Sequence, residues 1–270
     1  MPELPDVEIF KRTLDQHARG NAMAQLTVSD PGSLEGSAAG ALQRRLKGRR
    51  LVETRRHGKV LFAGFEHADT LAMHFGTNGS LQHVPADGAE PPSTRLLFAF
   101  EDGGAIAYVN PRRIGHVVVT ESAAHYVEQQ RLGPDALDRS FDAAAFDDVL
   151  GDRRQAIKTL LMDQARVAGI GNIYADEVLF QARLHPGMTA NRLAAKARRA
   201  LFDAMKHALQ TAIECGAGAE TFTDRLPKGF LLPERHAGGH CPRCGTALAI
   251  DKRGGRTSYH CPKCQKDPAD

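Results

Sequence analysis

The strongest constraint on this chain is its tail, CPRCGTALAIDKRGGRTSYHCPKC, where two residues separate Cys241 from Cys244, two separate Cys261 from Cys264, and sixteen lie between the pairs. A tetrahedral Zn²⁺ takes four thiolates; each short pair wraps the ion, and the segment between them forms a hairpin turning at KRGG. Redox disulfides and accidental spacing compete with this reading, but two pairs at this separation favour Zn²⁺ over both. A closed four-cysteine site leaves no position for water, so the single ion has a structural role. The fifth cysteine, Cys215, reads as a buried or incidental thiol. Arg253 and Arg256 fall on the hairpin, either as phosphate grips or as parts of a solvated turn.

The chain has 270 residues, enough for two modules and a small appendage. Its 35 basic and 32 acidic residues give a net charge of only +3, so the total does not argue for a polyanion partner. The distribution does: RRLKGRRLVETRRHGK, residues 44–59, holds eight Lys or Arg against Glu53 alone. Such runs mark phosphate-binding surfaces or simply solvated faces. No apolar stretch is long enough to span a bilayer, and the start lacks the basic and apolar regions of a signal peptide, so a cytoplasmic protein is expected.

Pattern divides the chain. Val7, Phe10 and Leu14 recur at helical spacing before Gly20. Short strand-like runs follow (LVETRRHGKVLFAGF, LAMHF, SLQHV, RLLFAF, AIAYV, HVVVT), punctuated by the turn sequences TNGS and EDGG. This predicts an N-terminal β-sandwich or barrel domain over 1–130, with RLGPDALDRSFD inside a linker over 131–148. Helical stripes then run from Ile157 towards AGIGN, through IYADEVLFQARL, and from about Arg192 to Glu214, predicting a helical domain over 149–234 ahead of a finger over 235–270.

In AGIGNIYADE, Gly169 and Gly171 break one helix and Asn172 is placed to cap the next. Glycine turns between helices are common. On a chain with a basic first half and a basic finger, this one reads as a phosphate clamp built on a helix start.

The first residues, MPELPDVE, surround Pro2 with Glu3, Asp6 and Glu8. Proline and acidic residues suit a helix N-terminus, which is the plain explanation. With PELPDVE, the motifs HGKVLF, NPRRIG, LLMDQARVAGIGNIYADEVLF and the four-cysteine finger occur in an order that resembles the bacterial formamidopyrimidine-DNA glycosylase and endonuclease VIII family across nearly the whole chain. The resemblance implies an α+β multidomain fold: an N-terminal helix on a β-sandwich, a helix-two-turns-helix module and a zinc finger. It also implies double-stranded DNA with damaged bases or abasic sites as substrate, a monomer, and a nucleoid-associated location in a bacterium. Removal of Met1 would make Pro2 a secondary amine, and an α-amino group has a pKa of about 7.7–8.0, low enough to supply free amine near neutral pH. Such an amine can expel a base, form a Schiff base with the sugar and drive strand nicking by β/δ-elimination. By the same resemblance Glu3 is the general acid and Lys59 holds a phosphate and assists the chemistry. His74, Arg112, Arg113, Asn172 and Arg256 contact DNA; Tyr174 is either beside the clamp or core.

Base flipping leaves a gap that, by the same resemblance, the purine-repair branch of the family fills with a methionine, an arginine and a phenylalanine. Here the matching positions are Thr77, Arg112 and Ile114, so only the arginine is kept. Asp6 stands where the motif has glutamate, and the segment between Cys215 and Cys241 is shorter than in purine-specific members. These departures predict an open pocket that takes ring-opened purines and oxidised pyrimidines more readily than 8-oxoguanine. A non-catalytic DNA-damage-binding protein on the same scaffold is the alternative, although Pro2 and Glu3 are both present. An RNA-binding zinc ribbon leaves PELPDVE unexplained.

Overall fold

The computed structural model describes residues 1–253 and 255–266. Its contacts divide into two compact units, one of Met1–Pro2 with Asp6–Arg131 and one of Glu3–Pro5 with Leu132–Asp270. Helix α1 (Leu4–His17) begins the fold; Pro5 in its first turn lacks an N–H that a helix start would leave unpaired.

In the first unit the strands are β1 (Met23–Val28), β2 (Leu34–Glu35), β3 (Leu51–His57), β4 (Val60–Phe65), β5 (Thr70–His74), β6 (Ser80–Val84), β7 (Thr94–Phe100), β8 (Ala105–Val109) and β9 (His116–Thr120), with α2 (Ala39–Leu46) and α3 (Ala123–Gln129). They form two sheets, ordered β1-β7-β8-β6 and β2-β9-β5-β4-β3. The alternation in TRLLFAF has its expected consequence: Leu96, Phe98 and Phe100 are buried while the residues between them are half-exposed. Leu26, Phe98, Ile106 and Tyr108 of one sheet share a core with Leu61, Leu71, Met73 and Val117 of the other, and this is the sandwich.

The second unit contains α4 (Ala143–Leu150), α5 (Ile157–Met162), α6 (Asn172–Gln181), α7 (Ala195–Cys215) and the hairpin β10 (Ala249–Arg253) and β11 (Arg256–His260). Residues 131–148 do not form a spacer. Gly133 N donates to Gln164 O, Ala168 N to Pro134 O and Ala136 N to Ala168 O, and Asp142 caps α4, whose Phe146 and Leu150 enter the helical core. α7 starts at Ala195, after a short 3₁₀ turn at Ala190–Arg192, and ends where Gly216 adopts a left-handed conformation at φ +64°. The finger packs within this same unit: Phe180 and Leu231 share a cluster with Cys241 and Cys261. Among the described residues no helix is long and apolar enough to cross a membrane.

Candidate active site and metal centre

Glu3 is fully buried, and its carboxylate sits on the start of α6. Oε2 accepts from Gly171 N (2.7 Å) and Tyr174 N (3.1 Å), and Oε1 accepts from Ile173 N (2.9 Å). Backbone amides at a helix N-terminus are unpaired donors at the positive end of the helix dipole, so a carboxylate fits there. Leu4 N donates to Gly169 O at 3.0 Å, and a Cβ on Gly169 would lie 2.5 Å from Leu4 Cδ1, so the glycine is needed for the N-terminal segment to lie this close.

This arrangement corrects the reading of AGIGN. The cap of α6 is Gly171, Asn172 is the first helical residue, and its side chain makes no capping bond. The amides assigned from sequence to a phosphate are occupied by Glu3. Asn172 is half-buried, and its Oδ1 is buried without accepting a hydrogen bond from the chain. Tyr174 is core: it is fully buried, and its hydroxyl lies 3.3 Å from the carbonyls of both Ala217 and Gly218. Pro2, next in the chain to Glu3, is half-buried, and while Met1 is attached its nitrogen is an amide.

In the first unit Lys59 lies in the two-residue turn joining β3 to β4, after Gly58 at φ +54°, the glycine-first pattern of a type II′ hairpin. Val60 pairs with His74 across β4 and β5, which brings the tip of this hairpin to the end of β5. Arg56, just before the turn, pairs with Glu8 at 2.9 Å. Burial, then the nearby His116 and Lys59, push the His74 pKa down to about 4. The ring is therefore neutral at physiological pH. Its Nδ1 accepts from Gly76 N at 3.3 Å, which assigns the proton to Nε2, a donor suited to a phosphate oxygen.

Thr77, Arg112, Arg113 and Ile114 lie in two adjoining loops. A Cβ on Gly76 would come 2.7 Å from Gly115 N, and one on Gly115 would come 2.0 Å from Asn110 Nδ2 and 2.3 Å from the Tyr108 hydroxyl. Fully buried Asn110 fastens them: its Nδ2 donates to Phe75 O and its Oδ1 accepts from Ile114 N. Arg112 and Arg113 are exposed, Arg113 has φ +54°, and Ile114 is 51% exposed despite its apolar side chain. Thr77 is half-buried, and its hydroxyl oxygen is buried without a partner in the chain.

In the second unit the four cysteine sulfurs come together: Cys244 to Cys261 is 3.5 Å, Cys244 to Cys264 is 3.6 Å and Cys241 to Cys264 is 3.9 Å. Four sulfurs about 2.3 Å from a tetrahedral Zn²⁺ would stand about 3.8 Å apart, so the cluster fits a structural zinc site. The pairing Arg253↔Arg256 places Arg256 at the tip of the hairpin between the cysteine pairs, where its side chain is exposed. The side chain of Arg253 and residue 254 of the predicted turn lie outside the described residues. Arg243 docks the finger: its guanidinium lies 4.1 Å from the Phe180 ring centre and donates to Phe180 O.

Sequence reasoning missed a buried polar node on α6. Asp176, 1% exposed, accepts through Oδ1 from Lys158 Nζ (2.7 Å) and Ser258 Oγ (2.9 Å), and through Oδ2 from Arg235 Nε (2.9 Å) and Tyr259 N (3.1 Å). Lys158, equally buried, also donates to Thr257 O at 3.1 Å. Burial pushes the Lys158 pKa down and the Asp176 charge opposes that shift. The node ties α5, α6 and the Arg235 segment to the strand that begins at Arg256. The available signal was the acidic pair Asp176–Glu177 inside a helix that is buried on all sides from Ile173 to Phe180.

Glu177 accepts from Gln181 Nε2 (2.7 Å) and Leu232 N (2.9 Å), and burial raises its pKa from 4.5 to about 7. Since the folded value is the higher one, the folded state binds the extra proton. The resulting stability is complete below about pH 4.5 and is lost as pH rises through about 7. Glu177→Gln should flatten this dependence, removing a difference on the order of 3 kcal/mol between urea-unfolding free energies at pH 5 and pH 8.

Comparison with known proteins adds an independent line. Residues 1–117 match the formamidopyrimidine-DNA glycosylase N-terminal domain, and residues 132–224 match the formamidopyrimidine-DNA glycosylase H2TH domain. The chain is 35% identical over 274 residues to the formamidopyrimidine-DNA glycosylase of Laribacter hongkongensis, covering 98% of this chain and all of that protein. It is 36% identical over 289 residues to that of Thermomicrobium roseum, covering 98% and 99%. Among solved structures, the Lactococcus lactis enzyme bound to DNA containing N7-benzyl-Fapy-dG superposes with a TM-score of 0.87 at 27% identity, covering 98% of this chain and 100% of that one. The same enzyme bound non-covalently to DNA with an abasic site gives 0.86 at 27% identity and the same coverage. The two matched domains follow one another as the sandwich and the helical module do, and this chain belongs to the formamidopyrimidine-DNA glycosylase family.

Proposed function

We infer that this protein is a base-excision-repair DNA glycosylase with abasic-site lyase activity, acting on double-stranded DNA that carries oxidised or ring-opened bases or abasic sites. The observation that carries this reading is the buried Glu3 held by three amides of α6, which fixes the chain directly beside Pro2. We propose that in a bacterial cell it acts at the nucleoid, where such a substrate is found.

Once Met1 is removed, the Pro2 amine attacks C1′ of the damaged nucleotide, and the base leaves with the glycosidic electron pair and a proton. Glu3 gives a proton to the ring oxygen as the sugar opens, the nitrogen gives up its own, and an iminium joins nitrogen to C1′. The iminium acidifies the C2′ proton; its loss expels the 3′ phosphate, and a second elimination expels the 5′ phosphate. Lys59 and the neutral His74 serve as phosphate partners in the first unit. Arg256 and Asn172 serve the backbone in the second, with Arg256 braced by the Asp176 node two residues along its strand. Cys241, Cys244, Cys261 and Cys264 would hold one structural Zn²⁺, which would keep the finger in shape. Arg112 and Arg113 supply donors for the orphaned base or adjacent phosphates.

On lesion choice, we favour ring-opened purines and oxidised pyrimidines over 8-oxoguanine. Ile114 projects from its loop but offers no ring to stack, and Thr77 is short. Base stacking on an aromatic side chain is worth about 1–3 kcal/mol. Ile114→Phe, at a position 51% exposed, should therefore tighten binding to an abasic-site duplex about fivefold to tenfold with no loss of melting temperature, as read by fluorescence anisotropy.

The test of the function is borohydride trapping of the Met1-free protein on duplexes carrying single oxidised bases or an abasic site, with Pro2→Gly as control. A covalent adduct whose yield follows the lesion supports the Schiff base and names the substrate. Tight binding without an adduct, even on the abasic duplex, supports the non-catalytic alternative. Cleavage of 8-oxoguanine much faster than dihydrouracil or thymine glycol defeats the proposed lesion preference.

A further inference from the structure

The basic run of residues 44–50 has no part in the chemistry above, and its place in the fold explains why. Lys59 and His74 mark one end of the β4–β5 pair, where Val60 faces His74. At the other end Gly64 faces Thr70, and residues 66–69 make the connection between the strands. Six residues at about 3.3 Å each put that connection about 20 Å from the Lys59 end. There, Arg44, Arg45, Lys47, Gly48 and Arg49 join His67, Ala68 and Asp69 around an open cavity of about 550 Å³.

The electrostatics of this cavity are one-sided. Four permanent cations face a lone lining carboxylate, Asp69, which pairs with Arg45 at 2.9 Å. Complementing the C-terminal dipole of α2 accounts for Arg44 and Arg45, which lie in its last turn. It does not account for Lys47 and Arg49, which lie beyond the helix on either side of Gly48 at φ +74°. A concave surface with several exposed guanidinium and ammonium groups focuses a positive field and suits the closely spaced phosphates of a polyanion.

We propose that this cavity is a second nucleic-acid site, which holds the phosphate backbone of a DNA segment other than the one carrying the lesion. The contact reads no base: the lining offers charge, and phosphate contacts position without specifying sequence. Its effect is to keep the enzyme near DNA between encounters with damage, through a term that salt weakens. The inference rests on the DNA-repair reading above, so its test keeps the two apart.

The experiment saturates the Met1-free protein with a short lesion duplex trapped by borohydride, then adds a labelled undamaged duplex and follows anisotropy against salt. Wild-type protein should bind the second duplex with a Kd of about 1–100 μM, with log K falling against log salt by about 0.9 per phosphate engaged, or about 2.7 for three. The triple variant Arg44→Glu, Lys47→Glu, Arg49→Glu should lose that binding at least tenfold, while trapping on the short lesion duplex stays at the wild-type level. Equal second-duplex binding by the variant would overturn the proposal. Binding of pyrophosphate or free nucleotide without the duplex would overturn its assignment to nucleic acid. Failure of trapping in both proteins would instead count against the glycosylase reading.

Discussion

Glu3→Gln should abolish most base release, by about 10²–10⁴-fold, the usual range for loss of a positioned proton donor or acceptor. Its structural effect should also be larger than an isosteric change suggests. The wild-type carboxylate offers two oxygens to three N–H groups, from Gly171, Ile173 and Tyr174. Glutamine has one oxygen, so whichever way its amide is turned, an NH₂ group faces a buried N–H. One unsatisfied donor of this kind costs about 1–3 kcal/mol. The variant should therefore unfold at a lower urea concentration as well as lose activity, and single-turnover assays on lesion and abasic duplexes separate the two effects. If Glu3 served only as a helix cap, activity of the folded fraction would be retained.

Asp176→Ala should be the most destabilising single change in the helical unit. It strands Lys158 and Arg235, two cations that lie at 1% and 13% side-chain exposure beside it, and it removes the acceptors of Ser258 Oγ and Tyr259 N. Removing one partner of a buried ion pair typically costs about 3–5 kcal/mol, because the remaining charge stays buried without compensation. The loss should appear in urea or thermal unfolding. A double variant, Lys158→Met with Asp176→Leu, should recover part of it, since both charges are then gone. Recovery of stability without recovery of DNA affinity would locate the role of the node in orienting the strand of Arg256.

What the sequence made legible was local. Alternation in TRLLFAF exposes a strand in any context, because the side-chain period of two is fixed by backbone geometry, and the short apolar run AIAYV between turn sequences reads as a strand buried on both faces. Two CxxC pairs announce a metal site because four soft ligands have few other common uses in such spacing. What stayed hidden was tertiary. Asn172 looked like a cap because asparagine usually is one before a helix, yet the cap residue is Gly171 and the free amides at that helix start are held by Glu3, 168 to 171 residues earlier. GPDALDRSFD looked like a linker because glycine, proline and polar residues break regular elements, yet its backbone is paired with residues 164–168 and its chain leads into α4, whose Phe146 and Leu150 are buried. Asp176 could be noted as acidic in an apolar helix, but its partners Lys158, Arg235 and Ser258 come from segments that no periodicity connects.

The distance in sequence between Glu3 and its partners has a consequence for how the protein is made. Glu3 emerges among the first residues, but the amides that hold it belong to residues 171–174. At about 5–20 residues per second, roughly 10–30 s of synthesis separate the two. Throughout that interval the N-terminal segment lacks the helix that will anchor it, and Met1 stays accessible to the peptidase that would expose Pro2. The order of translation thus gives processing a head start over folding. A cell in which N-terminal processing is slowed would reverse that order, locking Glu3 in place behind a methionine that should already have been removed.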